Sequence, residues 1–293
     1  MHQRLLLTFP EYRDQTERLA EAAGLPWREV ELHHFPDGES RIRLPSPLPP
    51  APIFVRSLDH PNDKLVELLL AAAAARQAGA QRVSLVAPYL CYMRQDKAFH
   101  PGEVVSQRIV GRWLADHFDN LLSVDAHLHR VATLAEAVPA RHAVNVTATA
   151  PMAAFLAGRF ERPLIVGPDS ESRQWVAAIA ARDGFDFVVG DKQRRGDRDV
   201  RITLPPQDYR GRDIVLVDDV ASTGRTLLEA ARLLHAFEPA SLSVLVTHAL
   251  FVGDAIERLR QAGVENIWSC DAIPHPTNAV SLAELLAAHL DFR

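Results

Sequence analysis

Short apolar runs rich in Leu and Val recur along the chain, most of them followed by a helix-length amphipathic segment, and this alternation limits the fold more than any other feature. The runs are Leu5–Phe9, Val83–Val86, Leu121–Val124, Leu164–Val166, Ile214–Val217 and Leu242–Val246. They read as strands buried on both faces, because they lack the polar alternation of a half-exposed sheet. Between them, Asp63–Ala78, Ser106–His117, Arg173–Asp183 and Thr226–Phe237 have helical periodicity, and Gly79, Gly184, Pro239 and Gly263 mark exits. Repeated strand-then-helix order predicts an α/β protein of mainly parallel sheets flanked by helices. At roughly 150 residues per domain, 293 residues allow two such domains. The Thr- and Ala-rich stretch Val138–Pro151, with a proline at each end, is the expected boundary, placed near Asn145 to give domains 1–145 and 146–293. Each half carries a similar series of elements, which permits duplication without establishing it.

Composition excludes several classes of function. With 32 Lys and Arg against 37 Asp and Glu, the net charge of -5 repels a polyphosphate duplex, so nucleic acid is a poor partner. Cys91 and Cys270 form no CxxC pattern, which argues against a disulfide framework or thiolate metal site and favours a reducing, cytoplasmic compartment. The longest nearly apolar run, Leu65–Ala75, contains Glu67 and falls well short of the ~20 residues that span a bilayer, so no membrane association is expected. That run could be core or a contact face. The apolar stretch after Met1, His2 and Arg4 is too brief for a secretory leader.

The segment Asp213–Phe237, DIVLVDDVASTGRTLLEAARLLHAF, carries the clearest chemistry. An apolar strand is expected to end at two carboxylates, Asp218 and Asp219, where ligands of parallel sheets bind and where a pair of sugar hydroxyls could donate to them. The following turn suits a phosphate. Ser222, Thr223 and Thr226 offer hydroxyls, Gly224 permits close backbone approach, and the first amides of the following helix point unsatisfied at an anion. The same residues could merely cap a helix, since Asp, Ser and Thr are ordinary N-caps. Neither a Walker sequence nor GxGxxG is present, so this is a different phosphate cradle.

VDDVASTGRT resembles the phosphoribosyl diphosphate loop of phosphoribosyltransferases and of ribose-phosphate diphosphokinases. Four further segments, FPDGE (Phe35–Glu39), PYLCYMRQDKAFHPGE (Pro88–Glu103), VDAHLHR (Val124–Arg130) and IPHPTNAVS (Ile273–Ser281), resemble the diphosphokinase family in order and spacing, nearer its short archaeal-type members. The resemblance implies two phosphoribosyltransferase-like domains, the first on the ATP side and the second on the ribose 5-phosphate side. It also implies a homo-oligomer with the ATP site near a subunit interface and a transferase of nucleotide biosynthesis. Phe35, Asp37 and Glu39 match its adenine-binding loop, and Arg94 and Gln95 its next nucleotide contact. Taken singly, FPDG is a common turn and Arg94 an ordinary surface arginine. Asp218, Asp219, Ser222, Thr223, Gly224, Arg225 and Thr226 match the ribose 5-phosphate loop. His127 and Asp169 match metal-linked positions for Mg2+, with the carboxylate the natural direct ligand and His127 able to act through water.

DKQRRGDRDV (Asp191–Val200) reads by itself as a solvated, charged hairpin. The resemblance implies that Lys192 and Arg194 are catalytic cations over the transferred diphosphoryl group, with Arg195 able to share the task. The implied reaction joins the diphosphoryl group of ATP to the anomeric hydroxyl of ribose 5-phosphate. Two departures stand out: Ser222 replaces a frequent aspartate, and PDSESRQW (Pro168–Trp175) puts Glu171, Ser172 and Arg173 where relatives carry glycine. Side chains there are expected to crowd the diphosphate. A non-catalytic regulatory subunit of the family and a phosphoribosyltransferase are the competing readings, and FPDGE and RQDK argue against the second.

Overall fold

A computed structural model describes residues 3–194 and 200–292. The first series of elements runs β1 (Arg4–Thr8), α1 (Arg13–Ala23), β2 (Trp27–Glu29), an antiparallel ribbon of β3 (Glu31–His34) and β4 (Ser40–Arg43), β5 (Ala51–Val55), α2 (Pro61–Gln77), β6 (Ser84–Val86), α3 (Ser106–His117), β7 (Asn120–Val124), α4 (Leu134–Ala137) and β8 (His142–Val146). The second runs α5 (Thr149–Ala157), β9 (Leu164–Gly167), α6 (Arg173–Asp183), β10 (Asp186–Val189), a ribbon of β11 (Asp191–Arg194) and β12 (Val200–Thr203), β13 (Asp213–Ala221), α7 (Arg225–His235), β14 (Ser241–Ala249), α8 (Ala255–Gln261), β15 (Asn266–Cys270), β16 (Asn278–Val280) and α9 (Ala283–Ala287).

The main strands form two parallel sheets, ordered β2-β1-β5-β6-β7-β8 and β10-β9-β13-β14-β15-β16. The two orders are the same, and each series inserts its antiparallel ribbon at the same point, after the edge strand and before the third strand of the sheet. Buried apolar strands account for this. Leu6, Leu7, Ile53, Phe54, Leu85 and Leu121 are buried in the first sheet, and Leu164, Ile165, Leu216, Val244 and Leu245 in the second. Such strands need helices over both faces. Helices α1 and α6 each end at a glycine in the left-handed region, Gly24 at φ 61° and Gly184 at φ 70°, a conformation that costs glycine nothing.

The chain divides into two compact units, residues 1–146 with 282–293, and residues 147–281. This differs from the expected assignment of everything after 145 to the second domain. The last twelve residues return to the first unit, where α9 packs on α1 and Arg4 meets Asp291 at 2.6 Å. Their apolar side chains Leu286, Leu290 and Phe292 need burial, and the α1 layer supplies it. The expected boundary stretch Val138–Pro151 holds the division between the units, after Val146. It contains the edge strand β8, and Asn145 Oδ1 accepts from Ala126 N at 2.9 Å within the first unit. The run Leu65–Ala75 lies in α2, with Leu68, Ala71, Ala72 and Ala75 buried and Val66 and Leu70 exposed. Among the described residues, no helix is long and apolar enough to cross a membrane.

Candidate functional site

In the second unit, β13 continues through both carboxylates to Ala221, further than the expected end at Val217, because Asp218 and Val220 stay in register with Val246 and His248 of β14. Successive strand residues face opposite sides of a sheet, and accordingly Asp218 is half-buried and Asp219 buried. Each carboxylate curls toward the next residue: Asp218 Oδ1 accepts from Asp219 N at 3.1 Å, and Asp219 Oδ1 from Val220 N at 2.8 Å. Both therefore lean toward the carboxyl end of the strand.

Ser222 and Thr223 then turn the chain into Gly224, whose left-handed φ of 67° begins α7. No side chain caps that helix, so Asp219–Thr223 are not there as caps. The first ladder bond runs from Leu228 N to Gly224 O at 2.8 Å, leaving the amides of Arg225, Thr226 and Leu227 without an intrahelical acceptor. Ser222 and Thr226 are half-buried, and Thr223 and Arg225 exposed. The turn can therefore take an anion on backbone N–H groups with hydroxyls beside it.

Behind the turn stands a buttress that sequence reasoning did not single out. Phe251 N donates to Ala221 O at 2.8 Å, and Val252 N to Ser222 O at 2.9 Å. The Phe251 ring packs on His275 of the IPHPTNAVS segment with centroids 5.4 Å apart. His275 Nδ1 accepts from Thr277 N at 3.2 Å, which fixes the neutral Nε2–H tautomer, and burial pushes the His275 pKa down. Phe251 turns the chain there, at a positive φ of 34°.

Asp169 is buried at the exit of β9, and its Oδ1 accepts from Glu171 N at 3.0 Å. The Ser172 hydroxyl points inward, donating to Asp169 O at 2.6 Å under Gly167. Glu171 and Arg173 are exposed. Lys192 and Arg194 lie on β11, in register with Ile202 and Val200 of β12. Arg195 lies outside the described residues.

In the first unit, the turn Phe35–Glu39 closes the β3–β4 ribbon. Phe35 N donates to Glu39 O at 2.8 Å and Gly38 N to Phe35 O at 2.9 Å. Asp37 Oδ1 accepts from Glu39 N at 3.2 Å. Phe35, Asp37 and Glu39 are all exposed, and the Phe35 ring stands edge-on to His33 with centroids 4.8 Å apart. Arg94 is exposed and Gln95 half-buried, Gln95 Nε2 donating to Lys97 O at 3.0 Å. The next residue, Asp96, is buried and meets Arg130 Nη1 at 2.6 Å. That ion pair ties RQDK to VDAHLHR, two motifs 30 residues apart that the sequence could only set side by side. In the latter, His127 and His129 stand edge-on, Nε2 to Nε2, with ring centroids 3.9 Å apart. In the HPGE stretch, Glu103 takes His100 Nδ1 at 2.5 Å and Phe99 N at 2.6 Å, which lowers its pKa.

Thiol chemistry has no place in these sites: both cysteines are buried, and burial raises Cys91 to about 12. Among the described residues, no group of three or more His, Cys, Asp or Glu side chains could hold a metal ion. Magnesium rarely needs one, since it keeps several waters and uses one or two carboxylates plus substrate phosphates. Asp169, a carboxylate at a strand exit, has the oxygen-donor chemistry that fits it.

Residues 5–117 match the family model for the N-terminal domain of ribose phosphate pyrophosphokinase, and residues 148–285 that for the phosphoribosyl transferase domain. A ribose-phosphate pyrophosphokinase of Methanopyrus kandleri is 38% identical over 92% of each chain. Another, of Halobacterium salinarum, is 32% identical over 97% of this chain and 99% of its own. The crystal structure of phosphoribosylpyrophosphate synthetase from Mycobacterium smegmatis superposes with a TM-score of 0.84 over 98% of this chain and 97% of its own, at 22% identity, a likeness of fold.

Proposed function

The chain belongs to the ribose-phosphate pyrophosphokinase family, and on that premise we propose that it transfers the β,γ-diphosphoryl group of ATP to the anomeric hydroxyl of ribose 5-phosphate. The hydroxyl oxygen bonds to the β-phosphorus while the bond from that phosphorus to the oxygen bridging the α-phosphorus breaks. AMP leaves with that oxygen, the hydroxyl proton is released, and 5-phosphoribosyl 1-diphosphate remains. The observation that carries this reading is the uncapped start of α7 after Asp218 and Asp219, a cradle for a sugar phosphate. A phosphoribosyltransferase would use the same cradle but has no need of FPDGE and RQDK in a first unit.

Each residue then has a task. The free amides at the start of α7, with Ser222, Thr223, Gly224, Arg225 and Thr226, hold the 5-phosphate, and Asp218 and Asp219 accept from ribose hydroxyls. Phe35, Asp37 and Glu39 take the adenine, and Arg94 and Gln95 the rest of the nucleotide. Lys192 and Arg194 follow negative charge into the transition state, the kind of clamp worth about 10³ to 10⁵ in rate. Magnesium, when bound, would screen phosphate charge, Asp169 being the residue to hold it directly in the second unit and His127 the residue to hold it through water in the first. The reading places the nucleotide on the first unit and the sugar phosphate on the second. The protein acts in the cytoplasm as a homo-oligomer with the nucleotide site near a subunit interface.

Phosphorus NMR of the protein with magnesium, ATP and ribose 5-phosphate, omitting each in turn, tests the reaction. AMP and an anomeric diphosphate signal only in the full mixture are the expected result. Binding of both substrates without turnover would instead favour a regulatory subunit. Replacement of the clamp cation, Lys192→Ala, should lower kcat at least ~100-fold. The thermal midpoint should hardly move, because β11 and β12 form a two-stranded ribbon outside the six-stranded sheet. A near-normal turnover number would remove Lys192 from the mechanism.

A further inference from the structure

Among the described residues, the ribbon that carries Phe35–Glu39 pairs with no other strand, so the ladder of the main sheet does not fix its position. Both its ends converge instead on one carboxylate oxygen. His34, the last residue of β3, donates through Nε2–H to Glu67 Oε1 at 2.7 Å, and Ser40, the first residue of β4, donates its hydroxyl to the same oxygen at 2.9 Å. Glu67 rises from the middle of α2 and is 1% exposed.

A buried carboxylate is costly unless compensated, and here the compensation is also buried. Glu67 Oε2 meets Arg56 Nη2 at 2.6 Å. Arg56, just past β5 and 2% exposed, lies over the Phe9 ring at 3.8 Å and donates from Nε to Glu11 Oε1 at 2.6 Å. A continuous polar chain therefore runs from the residues after β1, through the end of β5 and α2, to both ends of the turn. Buried ion pairs are poor sources of stability compared with apolar packing, and an apolar side chain at 67 would leave His34 and Ser40 without their shared acceptor. What the carboxylate adds is geometry.

Building on the assignment of Phe35–Glu39 to the nucleotide, we infer that Glu67 is a positioning residue that sets this turn in place before the nucleotide arrives. A turn fixed at both ends loses less freedom on binding, so the tie acts on nucleotide affinity rather than on the transfer step. Glu67 touches no reacting atom. Its effect passes through His34 and Ser40 to the exposed side chains of Phe35, Asp37 and Glu39.

The test cuts the tie at its solvent end, leaving the Arg56–Glu67 pair and hence the fold intact. In His34→Ala/Ser40→Ala, KM for ATP should rise about tenfold, with kcat and KM for ribose 5-phosphate close to wild type. Backbone amides of Phe35, Gly38 and Glu39 should exchange with solvent about tenfold faster, and those of β1 and β5 at their wild-type rates. The pair His34→Gln/Ser40→Thr, which restores a donor at each position, should recover the ATP KM. An unchanged ATP KM, an equal rise in both KM values, or unchanged exchange in the turn would each overturn the inference. A wild type without turnover would instead fail the diphosphokinase assignment, and the exchange rates would then decide the tie by themselves.

Discussion

Single residues show where chemistry was legible and where it was not. Gly224 stood out in the sequence because a glycine before a helix and after two carboxylates permits close approach to an anion, and it occupies the left-handed region in which a β-carbon is strained. Gly224→Ala should cost about 1 kcal/mol from that conformation, the added carbon meeting Ala255 Cβ at 3.4 Å. It should also raise the KM for ribose 5-phosphate more than that for ATP, which steady-state kinetics would check. Glu67, by contrast, looked like a flaw in an apolar helix. Burial raises its pKa, but the His34 bond, the Arg56 charge and the Ser40 bond together outweigh burial and leave it below the usual carboxylate value. A carboxyl lowered in the folded state adds stability above its unfolded pKa, and that stability is lost as pH falls through the lowered value. Urea unfolding from pH 7 to pH 3 should therefore show wild type losing its advantage over Glu67→Gln as acidity rises. A constant difference would disprove the linkage.

At the scale of elements, α3 and α6 fall on the segments marked for them, α3 because its amphipathic pattern is strong and α6 because Gly184 stops it locally. The strands with mixed or short patterns were illegible. Ala51–Val55 begins with Ala-Pro and Trp27–Glu29 has three residues, and they become strands by pairing, the first between β1 and β6 and the second along β1. The carboxyl end of β13 was misplaced for a related reason: two aspartates look like an exit, and only the register with β14 carries the strand past them. Helix α9 lies in the segment the sequence reading assigns to the second domain, and nothing local marks that it joins the first. Ending the chain after Ser281 should cost the first unit several kcal/mol, since Leu282, Leu286, Leu290 and Phe292 are all buried and each is worth roughly 1.5–3 kcal/mol at most. Urea denaturation of the truncated chain would show this as a lower midpoint, and an unchanged midpoint would mean that α9 only decorates α1.

Across the whole molecule, two units with the same strand order each carry one antiparallel ribbon at the same point in the topology. In the first the ribbon bears FPDGE at its tip, and in the second it bears Lys192 and Arg194. The proposed division of labour has a direct signature in hydrogen exchange. Nonhydrolysable ATP analogue alone should protect amides of residues 35–39 and 94–95, and ribose 5-phosphate alone those of 222–227. Protection of the same unit by both ligands would refute that division. The sequence by itself determined the strand-helix alternation, the glycine turn before α7 and the family motifs, because these depend on hydrophobic period and on residues adjacent in the chain. Only the tertiary structure decided that the two halves share one topology, that α9 belongs with α1, and that His34, Ser40, Arg56 and Glu67 form one network. Those outcomes rest on strand pairing and on burial between residues far apart in sequence, and neither leaves a local pattern to read.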